Sequence, residues 1–180
     1  LLGENGAGKS TLMKILSGFQ PADAGEILLD GKAVTLTTPA VAVARGIGML
    51  YQEPVDFPNL TVLDNFLLGR PGGLRLAAGA ARAELLRLAR EFDFSFDPAA
   101  RLATLGLGER QQLELVRLLA LGVKVLILDE STTAISAQQR DKLFAALRRL
   151  VADGMSIIFV THKLAEAQEL CGRATVLARG

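Results

Sequence analysis

From Lys9 onward the apolar residues Leu12, Ile15, Leu16 and Phe19 fall at i, i+3, i+4 and i+7, which predicts an amphipathic helix closed by Gly18 and Pro21. Residues 26–29 and 34–36, separated by the turn pair Asp30-Gly31, read as a β-hairpin. A short strand is expected over 46–51, running into Gln52. Further on, 123–128 and 157–161 are mostly apolar and read as strands. A helix over about 109–121 precedes the first, and a helix striped by Leu143, Leu147, Leu150 and Val151 separates the two. Such alternation predicts an α/β fold whose sheet is mainly parallel and covered on both faces.

The pattern changes between about 54 and 107, where strand-like runs give way to helices. Thr61-Val62-Leu63-Asp64 has the spacing of a capping box, and Leu85, Leu88, Ala89 and Phe92 form one helical stripe. Pro71-Gly72-Gly73 and Asp97-Pro98 punctuate the connections. The expected organisation is a core in two parts, 1–53 and 108–180, interrupted by a helical subdomain over 54–107.

Half of the 180 residues are apolar, enough for a sizeable core. Twenty basic residues against 19 acidic ones leave a net charge of +1, so the total suggests neither a nucleic-acid nor a membrane-surface partner. Cys171 is the only cysteine and can form no internal disulfide. Arg117, Lys124 and Asp129 interrupt the most hydrophobic region, leaving no apolar run near the roughly 18–20 residues of a membrane span. The chain starts at Leu1, too close to its first motif to include the strand that such a motif needs, and reads as a fragment cut at both ends.

That motif is Gly3-Glu4-Asn5-Gly6-Ala7-Gly8-Lys9-Ser10, followed by Thr11. It matches the phosphate-binding loop in which backbone N–H groups cradle phosphates, a lysine reaches the terminal phosphates and a hydroxyl ligates Mg²⁺. A lone Gly-rich turn occurs by chance, but here a helix follows at once and an acidic pair, Asp129-Glu130, ends an apolar strand. Asp129 is assigned to the metal and Glu130 to orienting or deprotonating the attacking water. The plainer alternative is a helix-capping carboxylate beside a solvated one. His162 follows the strand 157–161 and is either a hydrogen-bonded cap or a phosphate contact; Gln52 is either a loop residue or part of the site.

Taken in order, the phosphate loop, Gln52 before the helical insertion, Leu105-Gly106-Leu107-Gly108-Glu109, the strand into Asp129-Glu130, and Thr161-His162 resemble the ATP-binding subunits of ABC transporters. Within that family, 60–65 and the end from Thr161-His162-Lys163-Leu164 to Val176-Leu177-Ala178-Arg179-Gly180 look most like simple-sugar and nucleoside importers. The resemblance implies a P-loop NTPase, RecA-like core with an ABC-type antiparallel hairpin and an inserted helical subdomain. It also implies ATP and Mg²⁺ as ligands. Gly3, Asn5, Gly6, Ala7, Gly8, Lys9, Ser10 and Thr11 would hold the nucleotide, while Ser10, Gln52 and Asp129 would face the metal. Glu130, His162, Gln52 and Lys9 would serve catalysis. Gly106, Gly108 and Glu109 would close over the nucleotide of a second subunit in a head-to-tail homodimer, or of a fused second ATPase half.

The implied partners are a transmembrane permease docking on the helical subdomain and, indirectly, a solute-binding protein, at the cytoplasmic face of the plasma membrane. No nucleic acid is expected. Three positions depart from the family pattern: Gly106 where serine is usual, Ser131 where proline is usual, and Ser136 where an aspartate is common. Two other readings remain: a soluble ABC-type ATPase acting on nucleic acid or the ribosome, and a nucleotide-binding regulatory module with little hydrolysis. A P-loop small-molecule kinase finds no basic lid segment.

Overall fold

The apolar runs pair as strands in a computed structural model, which describes residues 1–70, 78–132 and 135–178. In chain order the first elements are β1 (Leu2–Gly3), α1 (Lys9–Leu16), β2 (Ile27–Leu29), β3 (Lys32–Val34), α2 (Pro39–Ala44) and β4 (Ile47–Leu50). Then come α3 (Val62–Leu67), α4 (Ala78–Glu91), a 3-10 turn (Leu102–Thr104), α5 (Leu107–Ala120), β5 (Val125–Asp129), α6 (Ala137–Ala152), β6 (Ser156–Val160), α7 (Leu164–Leu170) and β7 (Val176–Leu177). The Pro71-Gly72-Gly73 punctuation and the Arg179-Gly180 end of the family-like segment lie outside the described residues.

Packing divides the chain into two units. The first comprises Leu1–Met49, Val123–Glu130 and Met155–Gly180. In it β5 and β6 run parallel, in register from Val125 opposite Ser156 to Asp129 opposite Val160. β4 flanks β5 on the other side. β1 pairs in parallel with β7, and Leu1 joins it to β6, donating to the Phe159 carbonyl at 2.6 Å and accepting from the Thr161 amide at 3.3 Å. Leu126, Ile127 and Leu128 are fully buried, as expected of a parallel strand covered on both faces. The hairpin of β2 and β3 is antiparallel, with Asp30 (φ 51°) and Gly31 (φ 75°) both left-handed in its two-residue turn.

Sequence periodicity misplaces some positions. α1 stops at Leu16, and Gly18 (φ 73°) turns the chain, so Phe19 lies beyond the helix and is 63% exposed. The buried face of α1 is Lys9 and Met13, one turn apart, while Leu12 faces out. The second hairpin strand is Lys32–Val34, because the two-residue turn sets Lys32 opposite Leu29. α2 has no counterpart in the periodicity, yet its start carries a local signal: Thr38 accepts the Val41 amide at 3.2 Å and Pro39 opens the helix.

The second unit comprises Leu50–Gly122 and Ser131–Gly154. The expected capping box forms, with the Asp64 amide donating to the Thr61 hydroxyl at 3.0 Å and the Thr61 amide to the Asp64 carboxylate at 3.2 Å. Leu85, Leu88, Ala89 and Phe92 are all buried. Phe66, Leu102, Leu115 and Phe144 add to the same unit's buried interior. On α6, Leu143, Leu147 and Leu150 are buried, but Val151, a further 100° around the helix, is exposed. Packing thus groups α5 and α6 with the inserted helices, whereas the boundaries at 54 and 107 follow the change in hydrophobic pattern.

Candidate active site

The first unit gathers the glycine loop and the acidic strand end on α1 and β5, which touch. Gly8 caps α1 with φ 92°, a left-handed conformation that costs glycine little, and the chain passes directly from loop to helix. Lys9 is only 6% exposed, and its ammonium donates to the carbonyls of Gly3 at 2.8 Å and Glu4 at 3.0 Å. The amine thus lies folded across the start of its own loop. Asn5, Gly6, Ser10 and Thr11 are exposed, whereas Ala7 is buried. Asn5, Gly6 and Ala7, with Glu4, line an open cavity of about 410 Å³ together with Val176, Leu177 and Ala178.

Burial pushes the Asp129 carboxyl above its ordinary pKa, the nearby Glu130 adds to that rise, and the Ser10 hydroxyl bond, Lys9 and Lys14 oppose it. One carboxylate oxygen, Oδ1, is buried without a hydrogen-bond partner. A buried acceptor left unpaired is costly unless a cation or donor arrives. Ser10 and Asp129 are hard oxygen donors and fit Mg²⁺. Among the described residues no group of three or more His, Cys, Asp or Glu side chains could cage an ion. An ion held here would draw the rest of its shell from water and substrate phosphates, the usual habit of Mg²⁺.

Glu130 follows in a left-handed conformation (φ 47°), uncommon for a residue with a side chain, and its amide donates to the Val160 carbonyl at 3.0 Å. That bond completes the last pair of β5 and β6, Asp129 opposite Val160. It brings the strand end at His162 alongside, with Nδ1 3.3 Å from a Glu130 carboxylate oxygen. A protonated Nδ1 donates to that carboxylate, orienting it. His162 is thus neither a simple strand cap nor an isolated side chain.

A model of the family described as "ABC transporter" matches residues 1–133. The chain belongs to the ABC transporter family. This ABC domain is 43% identical, over its whole length, to the ribose import ATP-binding protein RbsA of Chromobacterium violaceum, and 45% identical to ribose import ATP-binding protein RbsA 1 of Rubrobacter xylanophilus. In each case it covers 36% of the relative, so the chain spans about a third of the length of these curated relatives. The crystal structure of the ADP conformation of MJ1267, an ATP-binding cassette of an ABC transporter, superposes with a TM-score of 0.84 at 25% identity, covering 99% of this chain and 75% of that one. The core is therefore the P-loop NTPase fold.

The other residues expected at the site from the sequence, Gln52, Gly106, Gly108 and Glu109, belong to the second unit. Gln52 is exposed, and its carbonyl accepts from the Gln111 side chain at 3.5 Å. Gly106 caps α5, and Glu109 folds back to accept the Gly106 amide at 2.8 Å. Sequence reasoning gave no individual role to two polar residues of this unit. Asn65, 3% exposed, accepts the Phe57 amide at 2.8 Å and donates to the carbonyls of Phe57 at 3.0 Å and Thr61 at 2.9 Å. Gln139 packs its carboxamide against Gly108. The spacing Ser136-x-x-Gln139, a capping-box signature before α6, was the available signal for Gln139; a helical Asn such as Asn65 carries none.

Proposed function

We propose that this ABC domain binds MgATP and hydrolyses it to drive an importer of simple sugars. The observation that carries the reading is the convergence of Lys9, Ser10 and Asp129 with the Glu130–His162 pair at the ends of adjacent parallel strands. Lys9, released from the Gly3 and Glu4 carbonyls, neutralises the terminal phosphates while the loop amides hold them. Ser10 and Asp129 would hold Mg²⁺, with Gln52 as a further proposed ligand. When bound, the ion spreads the negative charge of the transferring phosphoryl group. Glu130 orients or deprotonates the attacking water, and His162 fixes the Glu130 carboxylate and faces the γ-phosphate.

The sugar specificity follows the relatives, named for ribose import and, in Geobacillus kaustophilus, for ribose, galactose and methyl galactoside import. The proposed assembly has two ATPase domains, paired as a homodimer or fused in one chain. The Gly106–Glu109 turn of each meets the other's nucleotide. A permease docks on the helical subdomain 54–107, and a solute-binding protein delivers the sugar. None of the described helices is long and apolar enough to cross a membrane, so the permease would hold the domain at the cytoplasmic face.

The test uses the intact transporter. Glu130→Gln should retain ATP binding and lose about 10²- to 10⁴-fold in turnover, while Lys9→Ala should lose ATP binding itself. Undiminished hydrolysis by Glu130→Gln would refute the assignment of Glu130. A second reading, a nucleotide-gated module with slow hydrolysis, draws on Gly106, which offers no hydroxyl and whose amide Glu109 already occupies. Wild-type turnover near that of Glu130→Gln would favour it.

A further inference from the structure

Gly108, the second residue of α5, has no room for a side chain. A Cβ there would lie 2.5 Å from Cδ, 2.6 Å from Oε1 and 2.9 Å from Nε2 of Gln139. The Gln139 carboxamide is held in place, because its Oε1 accepts both the amide and the hydroxyl of Ser136 at 3.2 Å. The backbone amide of Gln139 donates in turn to the Ser136 hydroxyl at 3.2 Å. Swinging the carboxamide aside would break both side-chain bonds. The same group approaches Gly106, whose added Cβ would sit 4.0 Å from Gln139 Nε2 and 3.5 Å from the Glu109 carboxylate. The turn from Gly106 to Gly108 is therefore fixed on one side by Glu109, within its own helix, and on the other by Gln139, from the start of α6.

We propose that Gln139 is a positioning residue for the composite nucleotide site, setting the place of the Gly106–Gly108 turn through its contact with Gly108 and its anchorage on Ser136. The inference rests on the ATPase reading above. Gln139 touches no nucleotide in this scheme and acts through the turn. Its length and planar carboxamide set the spacing between the beginnings of α5 and α6, and small misplacements of groups facing a transition state are expensive. Ser136 thereby gains a role beyond capping α6: it anchors Gln139.

The test compares Gln139→Ala, Gln139→Met, Gly108→Ala and the double variant Gly108→Ala/Gln139→Ala in the intact transporter, reading steady-state hydrolysis and the binding of a fluorescent ATP analogue. Gln139→Ala should lower kcat about 10- to 100-fold while analogue binding at the Lys9 loop stays within about twofold. Gln139→Met keeps the bulk against Gly108 but loses Ser136, so its kcat should fall between those of wild type and Gln139→Ala. Gly108→Ala should lose activity, and adding Gln139→Ala should restore part of it, because the smaller side chain vacates the space the new methyl needs. Two residues acting independently would instead make the losses multiply, and a merely structural role for Gln139 would lower analogue binding and stability along with kcat. Wild-type kcat in Gln139→Ala, or a double variant at the product of the single losses, would overturn the proposal while leaving the ATPase reading intact. That reading fails separately, if the wild-type transporter itself does not hydrolyse ATP.

Discussion

Glu114 offers the sharpest energetic test, because it is a carboxyl buried on α5, the helix that begins at the Gly106–Gly108 turn. It is 5% exposed, with one oxygen 3.1 Å from Arg117 and the other, Oε2, without a hydrogen-bond partner. Burial raises its pKa from 4.5 to about 7; Asp56 adds to the rise, and Arg117 with the Val55 amide only partly offsets it. At about 1.36 kcal/mol for each unit of pKa, the ionised form costs the folded state about 3 kcal/mol. Below pH 4.5 the group is protonated both folded and unfolded, so it contributes no penalty. Between pH 4.5 and about 7 the unfolded chain gives up this proton while the folded one keeps it, so stability falls as pH rises and then levels off. Glu114→Gln, a neutral isostere, should match wild type near pH 4.5 and be more stable by about 3 kcal/mol at pH 8, measured by urea unfolding across that range. A difference that does not change with pH, or a variant less stable at pH 8, would show that the Arg117 pair outweighs burial and refute the reasoning.

Asn65→Ala removes three buried bonds that hold 57–61 against α3 and should cost about 2–4 kcal/mol, read as a lower urea midpoint at unchanged slope. Ser131 is fully buried with its hydroxyl unpartnered, so Ser131→Ala should stabilise by about 1 kcal/mol, seen as a higher midpoint in the same assay. Asp129→Asn removes a carboxylate that burial holds above its usual pKa. Without nucleotide its Tm at pH 8 should exceed that of wild type, since the destabilising contribution of this group grows as pH rises. Its further rise with MgATP should be smaller than that of wild type, and an undiminished rise would remove Asp129 from the metal site.

Local chemistry and hydrophobic period were legible along the chain. The glycine loop running into a helix, the apolar strand ending in Asp129-Glu130, the hairpin turn at Asp30-Gly31 and the capping box at Thr61 are each written within a few neighbouring residues. Periodicity alone misjudged Phe19 and Val151, because a repeat marks a stripe but not where the helix stops or how wide its covered face is. Folding in three dimensions was needed to bring His162 to Glu130, to leave an Asp129 oxygen unpaired, and to set Gln139 in the space beside Gly108. Those contacts join residues far apart in the chain. They depend on strand register and on which helix packs against which, and the free energy of burying one side chain against another is a property of the folded pair that neither sequence neighbourhood contains.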